Sequence, residues 1–312
     1  MAIGVRRSYG ITASALGAAS RALLEAPLPS EAELWLARPN DEAILLGAFQ
    51  RATEAPSVPL VRRGSGGPRV RIGPGSLWVG LLLSRVDALV SCDEARIVNR
   101  YVRPLLRALT RCGAPAHFFG RDWISVKHRP AAWIGFAHDR ASGRTAVEAV
   151  VARETPFEVD PRASYLGKEP GTIASVVGEA PSEERLADAL VESFAATYGH
   201  ALVERGALPA LPAGEPIPVD PPWAATFEDA IGPLAAGPDA VGRFRFGGDF
   251  LASRDAVAAL EAALPSVSDN GVGAAVDAAL GAPGTALDGV RSLSHVRDVI
   301  LEARRVSPQN LA

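Results

Sequence analysis

The stretch Val61 to Gly75, VRRGSGGPRVRIGPG, constrains this chain more than any other segment. Gly66 and Gly67 allow a tight bend and a close approach of backbone, while the β-branched residues on either side favour extended chain, so the segment reads strand, bend, strand. Arg62 and Arg63 place fork-shaped cationic donors beside that bend. Unblocked backbone N–H groups next to such donors suit an anion, for example an acyl-phosphate. The same residues also suit an ordinary solvated hairpin, so the flanks decide between the two.

The flanks supply a complete α+β pattern. Thr12 to Leu24 reads as an amphipathic first helix, with Leu16, Ala19, Leu23 and Leu24 on one face. Strands are expected at Ala32 to Ala37, Glu42 to Gly47, Val58 to Arg62, Arg69 to Ile72 and Leu77 to Leu83. Ile97, Tyr101, Leu105 and Leu109 recur four apart in a helix over Glu94 to Cys112, which Pro104 should kink or split. A meander follows at Ala116 to Phe119, Trp123 to Val126, Ala131 to His138 and Arg144 to Ala152. Ser182 to Tyr198 is the clearest helix: Ser182 caps it, Glu183 and Glu184 complement its dipole, and Leu186, Leu190, Phe194 and Tyr198 form its buried stripe.

Proline density without helical period marks 207–222 as a linker. The expected organisation is a large domain over 1–206, that linker, and a small α+β accessory domain over 223–312. Within the last, Val241 to Phe246 reads as a strand and Arg254 to Leu264, Val272 to Leu280 and Ser294 to Arg305 as helices.

Composition narrows the function. With 48% hydrophobic residues in 312, the chain can bury a sizeable core. A net charge of -3 removes a broad electrostatic case for nucleic acid. No apolar run approaches the ~20 residues that span a bilayer, so no membrane partner is expected. The N-terminal Arg6-Arg7 resembles a twin-arginine leader, but the small-residue run after it is interrupted and fits the first helix better. Cys92 and Cys112 form no C-x-x-C pair, which suggests a reducing cytoplasm and structural thiols. The five histidines show no metal spacing, and G-x-S-x-G is not found at any strand end. Only Lys127 and Lys168 are available for lysine-dependent chemistry.

Taken in order, Glu42 to Gln50 (EAILLGAFQ), the Arg62 to Gly67 loop, Gly120-Arg121-Asp122-Trp123, Gly167-Lys168-Glu169-Pro170-Gly171 and Gly247-Gly248-Asp249-Phe250 resemble the lipoate-protein ligase family of the biotin/lipoate transferase superfamily. The resemblance implies an α+β fold, a mixed β-sheet flanked by helices with a small accessory domain. It implies attack of lipoate, or a related medium-chain acid, on the α-phosphate of ATP with Mg, then transfer to a lysine of a lipoyl-type acceptor domain. Arg62, Arg63, Ser65, Gly66 and Gly67 would line the acyl-adenylate pocket, and Arg121 with Asp122 would approach the nucleotide. Val79, Leu81 and Leu83 are candidate tunnel walls or plain core.

The departures matter as much. The family's third loop glycine is Pro68, its loop histidine is Ile72, and its catalytic lysine falls at Ala132 or, with another gap, at Pro130. Lys127, in the turn Lys127-His128-Arg129-Pro130, and Lys168, in a lid-like loop, are weak substitutes; the first reads primarily as a solvated turn. Three readings follow: an adenylate-forming ligase, a non-catalytic paralogue that binds lipoate or its adenylate as a sensor or carrier, and a transferase for another carboxylate or thioester.

Overall fold

A computed structural model describes residues 2–25, 28–53, 57–159, 165–212 and 217–306, the Leu23 side chain excepted. Its strands are β1 (Ala2–Ile11), β2 (Ala32–Pro39), β3 (Ala43–Leu46), β4 (Leu60–Arg62), β5 (Val70–Ile72), β6 (Ser76–Leu83), β7 (Ala116–Phe118), β8 (Trp123–Val126), β9 (Arg129–His138), β10 (Thr145–Ala152) and β11 (Ala201–Glu204). The C-terminal region adds β12 (Ala225–Glu228), β13 (Pro233–Pro238), β14 (Phe244–Gly248), β15 (Leu251–Ala252) and β16 (Leu287–Asp288). The helices are α1 (Ala13–Glu25), α2 (Ile97–Tyr101), α3 (Arg103–Arg111), α4 (Ile173–Val177), α5 (Glu183–Tyr198), α6 (Arg254–Ala263), α7 (Val272–Leu280) and α8 (Leu293–Val306).

One large mixed sheet, in the order β11-β1-β2-β6-β10-β9-β8-β7, carries the fold. Its two faces bury different things. On one, α2, α3 and α5 pack against Leu77, Val79, Leu81, Leu83, Ile134 and Phe136. On the other, α1 and a small sheet β4-β3-β5 cover Trp35, Trp78, Trp123 and Trp133. The loop after β4 therefore overhangs the tryptophan face. Val79, Leu81 and Leu83 belong to the helix-side core instead, so they are not walls of a channel under the loop.

The elements form for local reasons that the packing then fixes. Pro104 cannot donate in a helix interior, and the expected helix divides at Val102 into α2 and α3, with Pro104 in the first turn of α3. Ser182 caps α5 by accepting from the Arg185 N–H, and Gly199 ends it in the left-handed conformation at φ 70°. Arg6 sits inside β1, a strand that alternation does not announce. It persists there because Glu33, fully buried on β2, pairs with it at 3.1 Å. Between 207 and 222 the described residues form no helix or strand.

Beyond that segment, β12, β13 and β14 form a separate sheet against which α6, α7 and α8 bury Leu260, Val276, Val296 and Ile300. Phe49 from the large sheet's side joins that cluster. No helix among the described residues is long and apolar enough to cross a membrane.

α5 closes the helix-side core, so its stripe should report on it. Phe194→Ala should lower the unfolding free energy by about 3–5 kcal/mol, and Ser182→Ala by about 1 kcal/mol. Urea midpoints at unchanged m-value measure both; a wild-type midpoint for Phe194→Ala would contradict this packing.

Candidate functional site

The loop is built around an arginine turned inward. Arg63 is 1% exposed. Its Nε donates to Ser65 Oγ at 2.9 Å, one terminal nitrogen to the Leu45 carbonyl at 2.6 Å, and the other to the carbonyls of Gly66 and Pro68 at 2.7 Å each. The guanidinium lies 4.1 Å from the Trp133 ring centroid. Beneath it, Glu148 on β10 is buried and accepts from the Ser65 hydroxyl. Burial pushes the Glu148 carboxyl above its ordinary range, with Arg63 and Ser65 pulling the other way.

Room for this arrangement comes from two Trp-x-Gly steps. Glu148 pairs with Gly80 on β6 and with Gly135 on β9. The rings of Trp78 and Trp133 lie across those glycines, where an added Cβ would fall 2.4 and 2.5 Å from ring carbons. Trp133 stands directly under the loop: a Cβ on Gly67 would be 3.4 Å from its Nε1. That Nε1, like the Nε1 of Trp123, is buried without a hydrogen-bond partner.

The glycines of the loop serve a protein partner. Gly67, at φ 88°, donates its N–H to the Phe250 carbonyl at 2.8 Å, and a Cβ on Gly66 would meet that oxygen at 2.3 Å. Gln50 accepts from the Gly47 N–H through Oε1 at 2.9 Å and donates through Nε2 to Asp249 at 2.5 Å. Gly248 donates to the Phe49 carbonyl at 2.9 Å, and Phe49 stacks on Phe250 at 4.9 Å. Thus three of the sequence motifs, Gly47 to Gln50, Gly66-Gly67 and Gly247 to Phe250, meet at one point.

The remaining expected site residues disperse. Arg62 stays half-buried, donating to the carbonyls of Gly47, Ala48 and Gln50, and burial holds its guanidinium below the usual arginine range despite Asp220. Arg121 reaches the Ala230 carbonyl of the C-terminal region at 2.7 Å, while Asp122 is fully buried. Lys127 is exposed in the β8–β9 turn at φ 45°. Ala132 faces the helix-side core, opposite to the loop.

Lys168 is half-exposed, its Nζ 4.6 Å from the Phe119 ring and 5.6 Å from Trp123. Arg129 ties the lid-like loop down by donating to the carbonyls of Glu169 and Pro170. Burial raises both thiols, Cys92 to about 11, which leaves neither as a ready nucleophile. Cys112 is buried and Cys92 half-exposed. Glu148, Trp78 and Trp133 were not foreseen. The signal lay in the repeated Trp-x-Gly and in a lone acid within the apolar strand TAVEAVVA.

No family model and no curated protein matches the chain. Solved structures do. P. falciparum LipL1 in complex with lipoate superposes with a TM-score of 0.62 at 13% identity, over 96% of this chain and 99% of that one. The chain has the lipoate-protein ligase fold. Lipoate-protein ligase A bound with ATP gives a TM-score of 0.55 at 16% identity, covering 67% of this chain and 90% of its own. A bi-partite lipoate protein ligase from Thermoplasma acidophilum, solved in a study of that ligase and its E2 lipoyl domain, gives 0.53 at 16%, over 66% and 87%.

Removing Arg63 should expose how the lipoate-ligase-fold loop is held. Arg63→Met should cost about 3–5 kcal/mol, because it leaves the Glu148 carboxylate buried without its cation. The folded pKa of Glu148 is raised, so the stability linked to its protonation is present below the unfolded value and lost as pH rises through the folded value. The deficit of Arg63→Met should therefore shrink between pH 8 and pH 5, and adding Glu148→Gln should make it pH-independent. Unfolding curves at both pH values decide it; an equal deficit in each would count against the pairing.

Proposed function

We propose that this chain is a non-catalytic protein of the lipoate-ligase fold that holds lipoate or its adenylate beneath the glycine loop, as a sensor or carrier. One observation carries the reading: the β9 side chain under the loop is Trp133, while Ala132 points to the helices. Activation of a carboxylate concentrates negative charge on a phosphate and calls for a fixed cation at that point. An indole supplies a donor and an apolar face but no charge. The buried, unpartnered Nε1 groups of Trp133 and Trp123 favour an acceptor-bearing ligand, since an unmet buried donor costs about 1–3 kcal/mol. Entry requires the Phe250–Leu251 segment to lift from Gly67, so ligand binding and docking of the C-terminal region are linked. On this reading the chain divides into 1–206 and 223–312, joined by 207–222.

A ligase reading is favoured by Lys168, whose ammonium makes no ion pair among the described residues. In that reaction the lipoate oxygen bonds to the α-phosphorus of ATP and pyrophosphate leaves. The amine of an acceptor-domain lysine then takes the acyl group and AMP departs. Among the described residues no three His, Cys, Asp or Glu side chains converge to hold a metal ion.

Thermal melts with lipoate, octanoate, biotin and lipoyl-adenylate, run beside an AMP assay with ATP and an apo acceptor domain, separate these. The expected result is stabilisation by lipoate or its adenylate, about 2.7 kcal/mol at 100-fold over Kd, without AMP or acceptor mass gain. AMP release that disappears in Lys168→Ala would establish the ligase reading instead.

A further inference from the structure

A second site lies on the outer side of the same loop. Between α1, the 48–51 segment, the 220–223 segment and α6 is a cavity of about 480 Å3. That is the size range of pockets for nucleotide-sized ligands. No residue from 120 to 171 lines it, so it is separate from Lys168 and Ala132, and it meets the loop through Arg62, Arg63 and Gly64.

Its charge is out of balance. The carboxylates of Asp239 and Glu261 are taken by Arg243 and Arg245, at 3.0 and 3.1 Å and at 2.6 Å. Of the five other lining arginines, Arg63 is engaged inside the loop, and Arg21, Arg51, Arg62 and Arg254 are left with Asp220, which stands 3.8 Å from Arg62. The Arg21 and Arg254 guanidinium groups make no hydrogen bond or ion pair among the described residues. Arg51 and Arg62 bond to carbonyl oxygens, which orient a guanidinium without cancelling its charge. Burial holds both of these below the usual arginine range. For a chain of net charge -3, so local an excess of cations in a concave site has a chemical meaning. Arginine forks in a partly desolvated cleft are matched by phosphate oxygens, which accept two parallel hydrogen bonds from each.

The organic part of a ligand also has a surface to meet. Trp223 lines the cavity with its ring 3.7 Å from the Arg51 guanidinium, and Phe49 lies beside it. A flat π-face already stacked on a cation presents its edge and opposite face to a planar group.

We infer that this interdomain cleft binds a small organic diphosphate of the nucleoside diphosphate class, its phosphates held by Arg21, Arg62 and Arg254. The site goes beyond the acyl pocket of the proposed function and does not require it. Both halves of the chain contribute, α1 and the loop from one and α6 from the other, so the ligand bridges them.

Calorimetric titration of the full-length protein with ADP, inorganic pyrophosphate and adenosine tests this, with sodium chloride at matched ionic strength as reference. ADP should bind at least as tightly as pyrophosphate, and adenosine should not bind. Arg21→Ala and Arg254→Ala should each weaken ADP about tenfold or more, the scale of one charge-assisted contact. Neither residue holds other structure, so their melting points without ligand should match wild type. Absence of heat with both phosphates at millimolar concentration, equal binding of adenosine, or unchanged affinity in both variants would overturn the inference. Pyrophosphate carries no acyl chain and lipoate no phosphate, so failure here and failure of the acyl-binding reading are told apart.

Discussion

The buried Arg63 guanidinium is the contact on which the glycine loop depends. It donates to two carbonyls of the loop itself, to the Leu45 carbonyl of β3 and to Ser65, which in turn donates to Glu148. A flexible Gly-Gly segment has high conformational entropy in the unfolded chain, and one planar ion with several donors is an efficient way to fix it. Besides these hydrogen bonds, Glu148 beneath it and Trp133 against its face help to offset the desolvation of that ion. Gly80 and Gly135 are then explained as well. Any side chain at either position would expel the indoles that roof the pair.

Fixing the loop in this way turns its backbone toward the C-terminal region. The Gly67 N–H, free in principle to bind an anion, is met by the Phe250 carbonyl, and Asp249 is held by Gln50. A cradle that could serve a ligand serves a neighbouring segment of the same chain. Pro68 fits that use, since it brings no N–H to the bend and its carbonyl receives Arg63. Two features of the loop thus go together: Pro68 in the bend and Trp133 beneath it.

How much of this was legible follows from how local each cause is. α5 could be read to within a residue because its cap, acidic first turn, apolar stripe and glycine stop all lie within its own span. The split between α2 and α3 was legible for the same reason. β1 was not, because the charges that break its alternation are met by Glu33 and Asp188, distant in sequence. The loop's position and its arginines were visible, but their direction was not. Successive residues of a strand face opposite ways, so whether Ala132 or Trp133 lies under the loop turns on one residue of register. That register is set by pairing with β8 and β10, and β8–β9 itself slips by one near Ile124.

The C-terminal region therefore stands between two places where a ligand is proposed, and the same geometry gives them opposite demands. A group under the loop requires Phe250 and Leu251 to leave Gly67 and the Trp133 face. A diphosphate in the outer cleft joins Arg254 of α6 to Arg21 of α1 and keeps the region seated. Binding free energies linked through one shared equilibrium are reciprocal, so each ligand would weaken the other by the same factor. The size of that factor is bounded by the free energy of docking, to which the Gln50–Asp249, Gly67–Phe250, Arg121–Ala230 and Ser253–Glu94 hydrogen bonds and the Phe49–Phe250 stack contribute. The loop is then a partition, with its buried arginine fixed and the segments on either side competing for one position of the C-terminal region.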